Sequence, residues 1–393
     1  MQSLKSLFDR KIQTLFPLVL YSVLLLGTSR LVLDSLRSEN SYVFKVYGRP
    51  ARGQGGRNKL PMAVMPEDRI GEDCNVFEGK WVWDNVSYPL YEEESCPYLV
   101  KQTTCQRNGR PDSFYKNWRW QPHGCNIPRF DPLTLLNMLR NKRMMFIGDS
   151  LQRGQFESMV CLVQSEFNAS IEYYWAPFIV ESISDHATNH TVHKRMVRLD
   201  SIANHGKHWQ GVDILVFESY VWWMHKPLIN ASYGSPDSVK EYNVTTAYSL
   251  ALETWSSWLE SNIKQETQKV FFMSMSWEWR PGTDENCFNE SYPIQGRPYW
   301  GSGSNLEIMK IVHDALQKLQ INVMLLNITQ LSEYRKDAHT SLYGERRGKL
   351  LTKEQRANPK SFADCIHWCL PGVPDAWNQI LYSYLLKDYQ NFS

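Results

Sequence analysis

Short apolar runs alternate with helix-forming stretches over the last two thirds of the chain, and this alternation limits the possible folds. The predicted strands are residues 143–147, 213–219, 269–274 and 322–328. The predicted helices are residues 151–163, 246–263, 305–319 and 374–386. Continuously apolar strands separated by helices are typical of a parallel sheet that is covered on both faces. The sequence therefore predicts an α/β fold with a doubly wound parallel sheet and right-handed crossovers.

An uncharged apolar stretch occupies residues 12–29, with Arg10 and Lys11 before it and Arg30 after it. A helix of about 18 residues spans about 27 Å, close to the roughly 30 Å hydrocarbon core of a bilayer. A cleaved signal peptide would have a shorter apolar run. We expect residues 1–11 to be a cytosolic tail, residues 12–33 a signal-anchor transmembrane helix and residues 34–70 a polar stem.

The eight cysteines all follow this stretch, and an even number is typical of disulfide-bonded proteins of the secretory pathway. They are Cys74, Cys96, Cys105, Cys125, Cys161, Cys287, Cys365 and Cys369. Acceptor sites for N-glycosylation agree with that compartment, at Asn85, Asn168, Asn189, Asn230, Asn243, Asn289, Asn327 and Asn391. Together these features predict a glycosylated type II membrane protein whose globular part is lumenal.

Charge and histidine spacing argue against two other classes of partner. The formal net charge is +2, which gives no electrostatic case for nucleic acid. His186, His190 and His193 follow a helical spacing, but Asn189 between them is a glycan acceptor and no acidic or cysteine ligand completes a metal site. We therefore expect no bound metal. Surface or core roles are expected for His123, His205, His208, His225, His313 and His339.

Residues 71–132 form a Cys/Trp segment with few regular periods. Such a segment is held together by disulfides and ring packing more than by helices and strands. We predict that it packs on a larger domain, residues 133–393, which carries the sheet. Aromatic residues make up 13% of the chain, which fits either a core rich in rings or a sugar-binding groove.

The first predicted strand runs into Gly148, Asp149 and Ser150, and a helical pattern begins there. In open α/β sheets the active site lies at the carboxyl ends of the strands. A helix N-terminus offers free N–H groups and a positive dipole end, which stabilise a developing oxyanion. Ser150 is therefore a candidate nucleophile, with Gly148 and Asp149 as candidate oxyanion or substrate-binding residues. The alternative is that Ser150 only caps the helix.

A nucleophilic serine needs a base, and the base needs an orienting group. Asp364 and His367 lie three residues apart before the last predicted helix, so on one turn both side chains can point to the same side. Cys365 and Cys369 flank His367, and bridging them would immobilise this segment. The sequence thus predicts a triad of Ser150, His367 and Asp364. The alternative is an ordinary loop histidine with an aspartate before it.

Arg153 lies one helical turn from Ser150 and is a candidate for positioning donor or acceptor, the alternative being a surface ion pair. Five tryptophans are candidates for lining a sugar groove, although core packing is expected for most of them. They are Trp222, Trp223, Trp277, Trp279 and Trp368.

From Cys74 to the C-terminus, the sequence resembles the plant trichome-birefringence-like family. The resemblance rests on "GKWVWDN", "RMMFIGDSLQRGQFESMVCLVQS", "EYYWAPFIVES", "LSEYRKDAHTS" and "DCIHWCLPGVPDAWNQ", among other stretches. Within the family, the sequences of these motifs most resemble those of the members that acetylate xylan. The resemblance implies an SGNH/GDSL-like fold and a Golgi polysaccharide O-acetyltransferase that acts on the 2- or 3-hydroxyl of xylosyl residues.

The same resemblance implies roles for particular residues and partners. Ser150 would be the nucleophile, with Asp364 and His367 completing the triad. It also implies the disulfides Cys105–Cys369 and Cys287–Cys365. It implies no bound cofactor, an acetyl donor as co-substrate, for which acetyl-CoA is one candidate, and a xylan or xylo-oligosaccharide acceptor. A non-catalytic wall-glycan-binding protein and an acetyl-polysaccharide esterase are the alternative functions.

The chain departs from the family pattern in three places. A Ser-Pro-x-His-like stretch is missing after the third predicted strand, and the segment at residues 164–173 is short. Glu218 stands where relatives often have Asn, a residue that supplies an oxyanion donor in SGNH-type enzymes. An ionised glutamate cannot donate a hydrogen bond.

Overall fold

The computed structural model describes residues 41–46, 74–163, 169–190, 195–274, 286–296, 299–301, 304–346 and 348–391. The predicted cytosolic tail and signal anchor lie outside these residues, as does most of the predicted stem. Among the helices that the structure describes, none is long and apolar enough to cross a membrane.

The described strands are β1 (Ser41–Val46), β2 (Gly79–Trp83), β3 (Trp118–Pro122), β4 (Arg143–Gly148), β5 (Ala169–Trp175), β6 (Met196–Arg198), β7 (Ile214–Phe217), β8 (Leu228–Ser232), β9 (Lys240–Asn243), β10 (Lys269–Met273), β11 (Val323–Leu326), β12 (His339–Ser341) and β13 (Asp364–Trp368). The α-helices are α1 (Pro132–Met138), α2 (Ser150–Leu162), α3 (Ala203–Trp209), α4 (Val244–Asn262), α5 (Leu306–Lys318), α6 (Thr329–Glu333), α7 (Lys353–Arg356), α8 (Pro359–Phe362) and α9 (Val373–Asn391). Short 3₁₀ turns occupy Glu93–Ser95, Phe114–Lys116 and Lys336–Ala338.

The main sheet has the strand order β1-β5-β4-β7-β10-β11. The four predicted strands correspond to β4, β7, β10 and β11, and these are neighbours in parallel register. The four predicted helices correspond to α2, α4, α5 and α9, of which α9 continues five residues beyond the predicted end at residue 386. The predicted α/β fold with a parallel sheet is therefore confirmed.

Two strands of this sheet were not predicted. Strand β5 is parallel to β4, but Ser170 and Glu172 interrupt its apolar run. Glu172 is buried because Arg143 of β4 donates to both of its carboxylate oxygens, at 2.7 and 2.8 Å. Strand β1 pairs antiparallel to β5 and lies within the predicted stem, so this part of the stem segment extends the sheet.

Helices cover the main sheet on both faces. Phe146 of β4 is in register with Val216 of β7 and packs on Phe156 of α2, with ring centroids 6.3 Å apart. Successive strand residues point to opposite faces, so Phe217 turns to the other face. There it meets Trp255 of α4 at 5.4 Å. Two helical layers thus enclose the strands, as a doubly wound sheet requires.

The Cys/Trp segment is built on the antiparallel pair β2 and β3. Trp81 and Trp120 face each other across this pair with ring centroids 5.6 Å apart. The Trp81 indole donates to the carbonyl oxygen of Leu331 at 2.8 Å, and the Arg335 guanidinium lies over the Trp81 ring at 4.5 Å. These contacts attach the segment to the domain that carries the sheet.

The eight cysteines form four disulfides: Cys74–Cys125, Cys96–Cys161, Cys105–Cys369 and Cys287–Cys365. The last two are the pairings that the family resemblance implies. Cys105–Cys369 joins the Cys/Trp segment to the C-terminal part across 264 positions of sequence. Each cysteine that flanks His367 therefore pairs with a partner elsewhere in the fold, and the two do not bridge each other.

Candidate active site

Ser150 is the first residue of α2, directly after β4 ends at Gly148. The N-cap of this helix is Asp149, whose Oδ1 accepts a hydrogen bond from the Leu151 N–H at 2.8 Å. The carbonyl oxygen of Asp149 accepts the first helical bond, from the Arg153 N–H at 3.1 Å. Because Asp149 caps the helix, the alternative in which Ser150 is the cap is wrong. The Ser150 hydroxyl instead points to the C-terminal part of the chain.

A chain of hydrogen bonds joins the three residues predicted as a triad. Ser150 Oγ lies 2.8 Å from His367 Nε2, and His367 Nδ1 lies 2.8 Å from Asp364 Oδ2. Since the carboxylate can only accept, the Nδ1–H donates to Asp364 and Nε2 is left to accept from the serine hydroxyl. The structure thus assembles a hydroxyl, an imidazole and a carboxylate in the order that nucleophilic catalysis needs.

Asp364 and His367 lie on the short strand β13, not on a helical turn as the sequence analysis expected. Residues three apart on a regular strand face opposite ways. Here Asp364 Oδ1 accepts the N–H groups of Ile366 and His367, each at 3.1 Å. Such a side-chain-to-backbone bridge bends the strand and brings the carboxylate to the same side as the imidazole.

The electrostatics of Asp364 favour its ionised form. Burial by itself would raise the pKa of this carboxyl group, since a charge is poorly solvated inside the protein. The charge that His367 carries when protonated and the hydrogen bond that it donates outweigh burial and hold the Asp364 pKa well below its usual range. Asp364 therefore carries a negative charge at neutral pH and can stabilise an imidazolium at His367.

Strand β13 pairs antiparallel with β12, and His339 of β12 lies opposite Trp368. Its ring stacks on Trp368 with centroids 3.8 Å apart, and its Nδ1–H donates to the carbonyl oxygen of His367 at 3.3 Å. Burial lowers the pKa of His339 to about 3, so the ring is neutral at physiological pH. His339 was expected only to have a core or surface role, although its motif "KDAHTS" is part of the family resemblance.

Gly148 allows a close approach that no other residue would permit. A Cβ atom at this position would lie 2.4 Å from the Glu218 carbonyl oxygen and 2.9 Å from Gln152 Cβ. Neither neighbour can move easily, because Gln152 Nε2 donates to the carbonyl oxygen of Val216 at 2.7 Å and Glu218 continues directly from β7. The role of Gly148 in the structure is therefore to bring the Ser150 turn against the neighbouring strand.

Arg153 is held in an ion pair with Glu157, with 3.3 Å between Nε and Oε1, and also bonds to Gln102 of the Cys/Trp segment. Burial raises the pKa of Glu157, and the Arg153 charge opposes that shift. The Arg153 side chain is 23% exposed, so it borders the site while it ties α2 to the Cys/Trp segment. This contact is more enclosed than the surface ion pair that the sequence analysis weighed as the alternative.

Trp222 and Trp368 are 4% and 3% exposed and so offer no open face to a sugar. Trp222 meets Trp175 edge to face with centroids 5.5 Å apart, and Trp368 lies between His339 and Trp377. Trp223 is fully buried, while Trp277 and Trp279 lie outside the described residues. Both candidates for substrate binding, Trp222 and Trp368, therefore pack in the core, the position expected for most of the five tryptophans.

The histidines weighed as metal ligands have other contacts. His190 stacks on Trp175 at 4.6 Å and its Nδ1–H donates to the carbonyl oxygen of His186 at 2.9 Å. His193 lies outside the described residues. Nowhere in the described ranges do three or more His, Cys, Asp or Glu side chains gather as a metal site would require.

Comparisons with known proteins assign the chain to a family. A model of the GDSL/SGNH-like acyl-esterase family found in Pmr5 and Cas1p matches residues 127–170 and 164–384, and a model of the PMR5 N-terminal domain matches residues 72–126. The chain is 63% identical to protein trichome birefringence-like 31 of Arabidopsis thaliana, over 98% of both chains. The chain belongs to the trichome-birefringence-like family.

Two relatives from rice have names that state an activity. Probable xylan O-acetyltransferase 8 of Oryza sativa subsp. japonica is 46% identical over 79% of this chain and 78% of its own length. Xylan O-acetyltransferase 6 of the same species is 44% identical over 80% of this chain and 63% of its own length. The two family models divide at residue 126, close to the end of the Cys/Trp segment, and the second includes Ser150, Asp364 and His367.

Proposed function

We propose that this chain is a polysaccharide O-acetyltransferase that moves an acetyl group, through an acyl-Ser150 intermediate, to the 2- or 3-hydroxyl of xylosyl residues in xylan. The observation that carries the proposal is the 2.8 Å contact between Ser150 Oγ and His367 Nε2, with Asp364 behind the imidazole. The names of the rice relatives support xylan as the acceptor.

The first half-reaction acylates the serine. Ser150 Oγ attacks the carbonyl carbon of the acetyl donor while His367 Nε2 takes the hydroxyl proton. The bond from that carbon to the donor's leaving group then breaks, and the leaving group receives the proton from His367. Asp364, whose lowered pKa keeps it ionised, stabilises the imidazolium that exists between the two proton transfers.

The second half-reaction reverses these roles with a sugar hydroxyl. His367 Nε2 takes the proton of the xylosyl hydroxyl, and the sugar oxygen attacks the acyl carbon. The bond from Ser150 Oγ to that carbon breaks, and His367 returns the proton to Oγ. The Ser150 N–H, at the positive end of α2, is the proposed donor to the oxyanion in both halves. Gly148 and Asp149 hold that N–H in place.

The test is an assay of the full chain with an acetyl donor, acetyl-CoA among those tried, and xylo-oligosaccharide. We expect acetylated oligosaccharide, and an acetylated Ser150 peptide by mass spectrometry when the acceptor is omitted. Ser150→Ala and His367→Ala should each lower the rate at least about 10³-fold, since a triad whose nucleophile or base is missing retains little catalysis. Ser257→Ala, at an exposed helical serine, is the matched control and should keep the wild-type rate.

The same assay separates two other functions. An esterase is a second candidate, because water can replace the sugar at the same triad and the matching family model is described as an acyl-esterase family. Release of acetate from acetylated xylan without transfer to the oligosaccharide would support it over the transferase. A protein that binds xylo-oligosaccharide without turnover, unaffected by Ser150→Ala, would contradict both enzymatic functions.

We also propose that the chain is a single-pass type II protein of the Golgi membrane with its globular part in the lumen. The four disulfides support an oxidising compartment, and the uncharged residues 12–29 support an anchor. In sealed membrane vesicles the globular part should resist added protease until detergent is present. Its digestion in intact vesicles would contradict this orientation.

A further inference from the structure

Two carboxyl groups meet beside Ser150 in the interior of the protein. Asp149 and Glu218 are both 0% exposed, and Glu218 follows directly after β7. The Asp149 N–H points to Glu218 Oε2 at 3.4 Å, so the two carboxyl groups are close neighbours. Neither Asp149 Oδ2 nor Glu218 Oε1 has an N–H or O–H donor among the described residues.

Within the part of the chain that the structure describes, neither carboxyl group of this pair has a cation in direct contact. Among the described residues, no lysine, arginine or histidine forms an ion pair with either carboxyl group, since Arg153 pairs with Glu157 and His367 with Asp364. Two unpaired carboxylates in contact inside a protein repel each other and lack hydration, so both cannot be ionised. The unoccupied oxygens of Asp149 and Glu218 are satisfied together if one proton lies between them.

We propose that Asp149 and Glu218 share one proton at neutral pH, carried by Glu218, and that this acid pair positions Ser150. Glu218 is then a neutral carboxylic acid whose O–H donates to Asp149, and Asp149 keeps its other oxygen on the Leu151 N–H at 2.8 Å. The shared proton fixes the turn between β4 and α2 to the end of β7. The inference rests on the proposed function only for the catalytic role of Ser150.

The surroundings of the pair agree with this assignment of the proton. Burial raises the pKa of Glu218 well above its usual value, and the neighbouring Asp149 raises it further. Two tyrosine hydroxyls lie near the pair. That of Tyr173 donates to the Asp149 carbonyl oxygen at 2.9 Å, and that of Tyr248 donates to the Ser219 carbonyl oxygen at 2.7 Å. The Tyr220 N–H faces Glu218, and the charges of Arg153 and His367 act on Asp149 more weakly than burial does.

Stability measurements test the shared proton without any assay of activity. At neutral pH the folded protein would hold one proton on this pair that the unfolded chain releases, so the folding equilibrium constant should fall about tenfold more per pH unit in the wild type than in Glu218→Gln. Glu181→Gln is the matched control, because Glu181 accepts the Asn204 N–H, has a lowered pKa and is ionised in both states. Equal slopes in the wild type and Glu218→Gln would overturn the proposal.

A second measurement needs no variant and applies even if Glu218→Gln does not fold. The infrared spectrum of the folded protein at neutral pH should contain the carbonyl band of a neutral carboxylic acid, and isotope-labelled glutamate should shift it. A spectrum in which labelled glutamate shifts only carboxylate bands would overturn the proposal.

The pH profile of acetyl transfer tests the positioning role. As the pH rises through the ionisation of Glu218, repulsion between the two carboxylates should displace Ser150 and lower kcat about tenfold per pH unit, with KM less affected. Glu218→Gln should lack this alkaline decline. An identical alkaline decline of kcat in both proteins would overturn the proposal that the pair positions Ser150 and would leave it a structural role. Absence of wild-type turnover at every pH would overturn the proposed function, and the stability test would remain valid.

Discussion

Ser150 Oγ and His367 Nε2 are 2.8 Å apart although 217 positions of sequence separate them. The serine is held by the junction of β4 and α2, while the histidine is held by β13, which pairs with β12. The two residues therefore belong to different substructures, and every feature that joins those substructures also sets the distance between nucleophile and base.

Replacing the triad carboxylate should lower kcat and leave KM nearly unchanged. In Asp364→Asn, the amide cannot stabilise an imidazolium at His367 and can hold the wrong tautomer, so we expect kcat to fall about 10³–10⁴-fold. KM should change by no more than a few-fold, because Asp364 faces the imidazole and not the substrate. Steady-state kinetics with xylo-oligosaccharide measure this. Asp314→Asn, at an exposed carboxylate paired with Lys310, is the control, and a fall below tenfold for Asp364→Asn would contradict the triad.

Two glycines close together on the chain should respond to alanine in opposite directions. Gly148→Ala places a methyl group 2.4 Å from the Glu218 carbonyl oxygen, so we expect the free energy of unfolding to fall by about 2–4 kcal/mol. Gly154→Ala meets no atom within 4 Å and lies inside α2, so a gain of about 0.5–1 kcal/mol is expected. Urea unfolding of both variants measures these changes in the free energy of unfolding. A tolerated Gly148→Ala would show that the turn can relax away from β7.

The disulfide Cys105–Cys369 should affect both stability and catalysis. Replacing both cysteines by serine frees the C-terminal end of β13, and we expect a loss of about 3–5 kcal/mol in the free energy of unfolding. At a temperature where the variant is still folded, kcat should also fall, because His367 is two residues away. The control is the double serine variant of Cys74–Cys125, within the Cys/Trp segment, which should lose stability but keep kcat. Equal kcat in both double variants would show that the remaining contacts of β13 hold His367 without the Cys105–Cys369 bond.

The buried, neutral ring of His339 should make the free energy of unfolding depend on pH. Its pKa is about 3 in the folded protein and about 6.5 when unfolded, so unfolding takes up a proton between these values. The free energy of unfolding should therefore fall as pH falls, by about 1.4 kcal/mol per unit between roughly pH 6 and 4 from this group alone. His339→Gln keeps a donor for the His367 carbonyl oxygen and should be less sensitive to acid by that amount. Parallel pH curves for the two proteins would contradict a buried neutral imidazole.

The sequence predicts the parts of this fold that depend on continuous patterns. The buried strands β4, β7, β10 and β11 are apolar throughout, so their positions follow from hydrophobicity alone. Strand β5 escapes that reasoning because Glu172 on it is satisfied by Arg143, a contact between two strands that no local pattern reveals.

At the candidate site, likewise, the sequence predicts the residues but not the backbone that holds them. Residue chemistry and the family resemblance identify Ser150, Asp364 and His367, and the structure brings them together. The backbone around them could not be predicted, because β13 depends on pairing with β12 and on Asp364 Oδ1 accepting the N–H groups of Ile366 and His367. The meeting of Asp149 with Glu218 likewise depends on the register between β4 and β7. From the sequence, Glu218 is only a missing oxyanion donor, because an ionised carboxylate cannot donate a hydrogen bond.

The wide separation of the paired cysteines has a consequence for biosynthesis. During translation, Cys105 and Ser150 are synthesised well before His367 and Cys369, which lie near the C-terminus. A growing or prematurely terminated polypeptide thus displays the hydroxyl with no base to activate it. The serine and the base can meet only after the C-terminal residues have folded back and Cys369 can pair with Cys105.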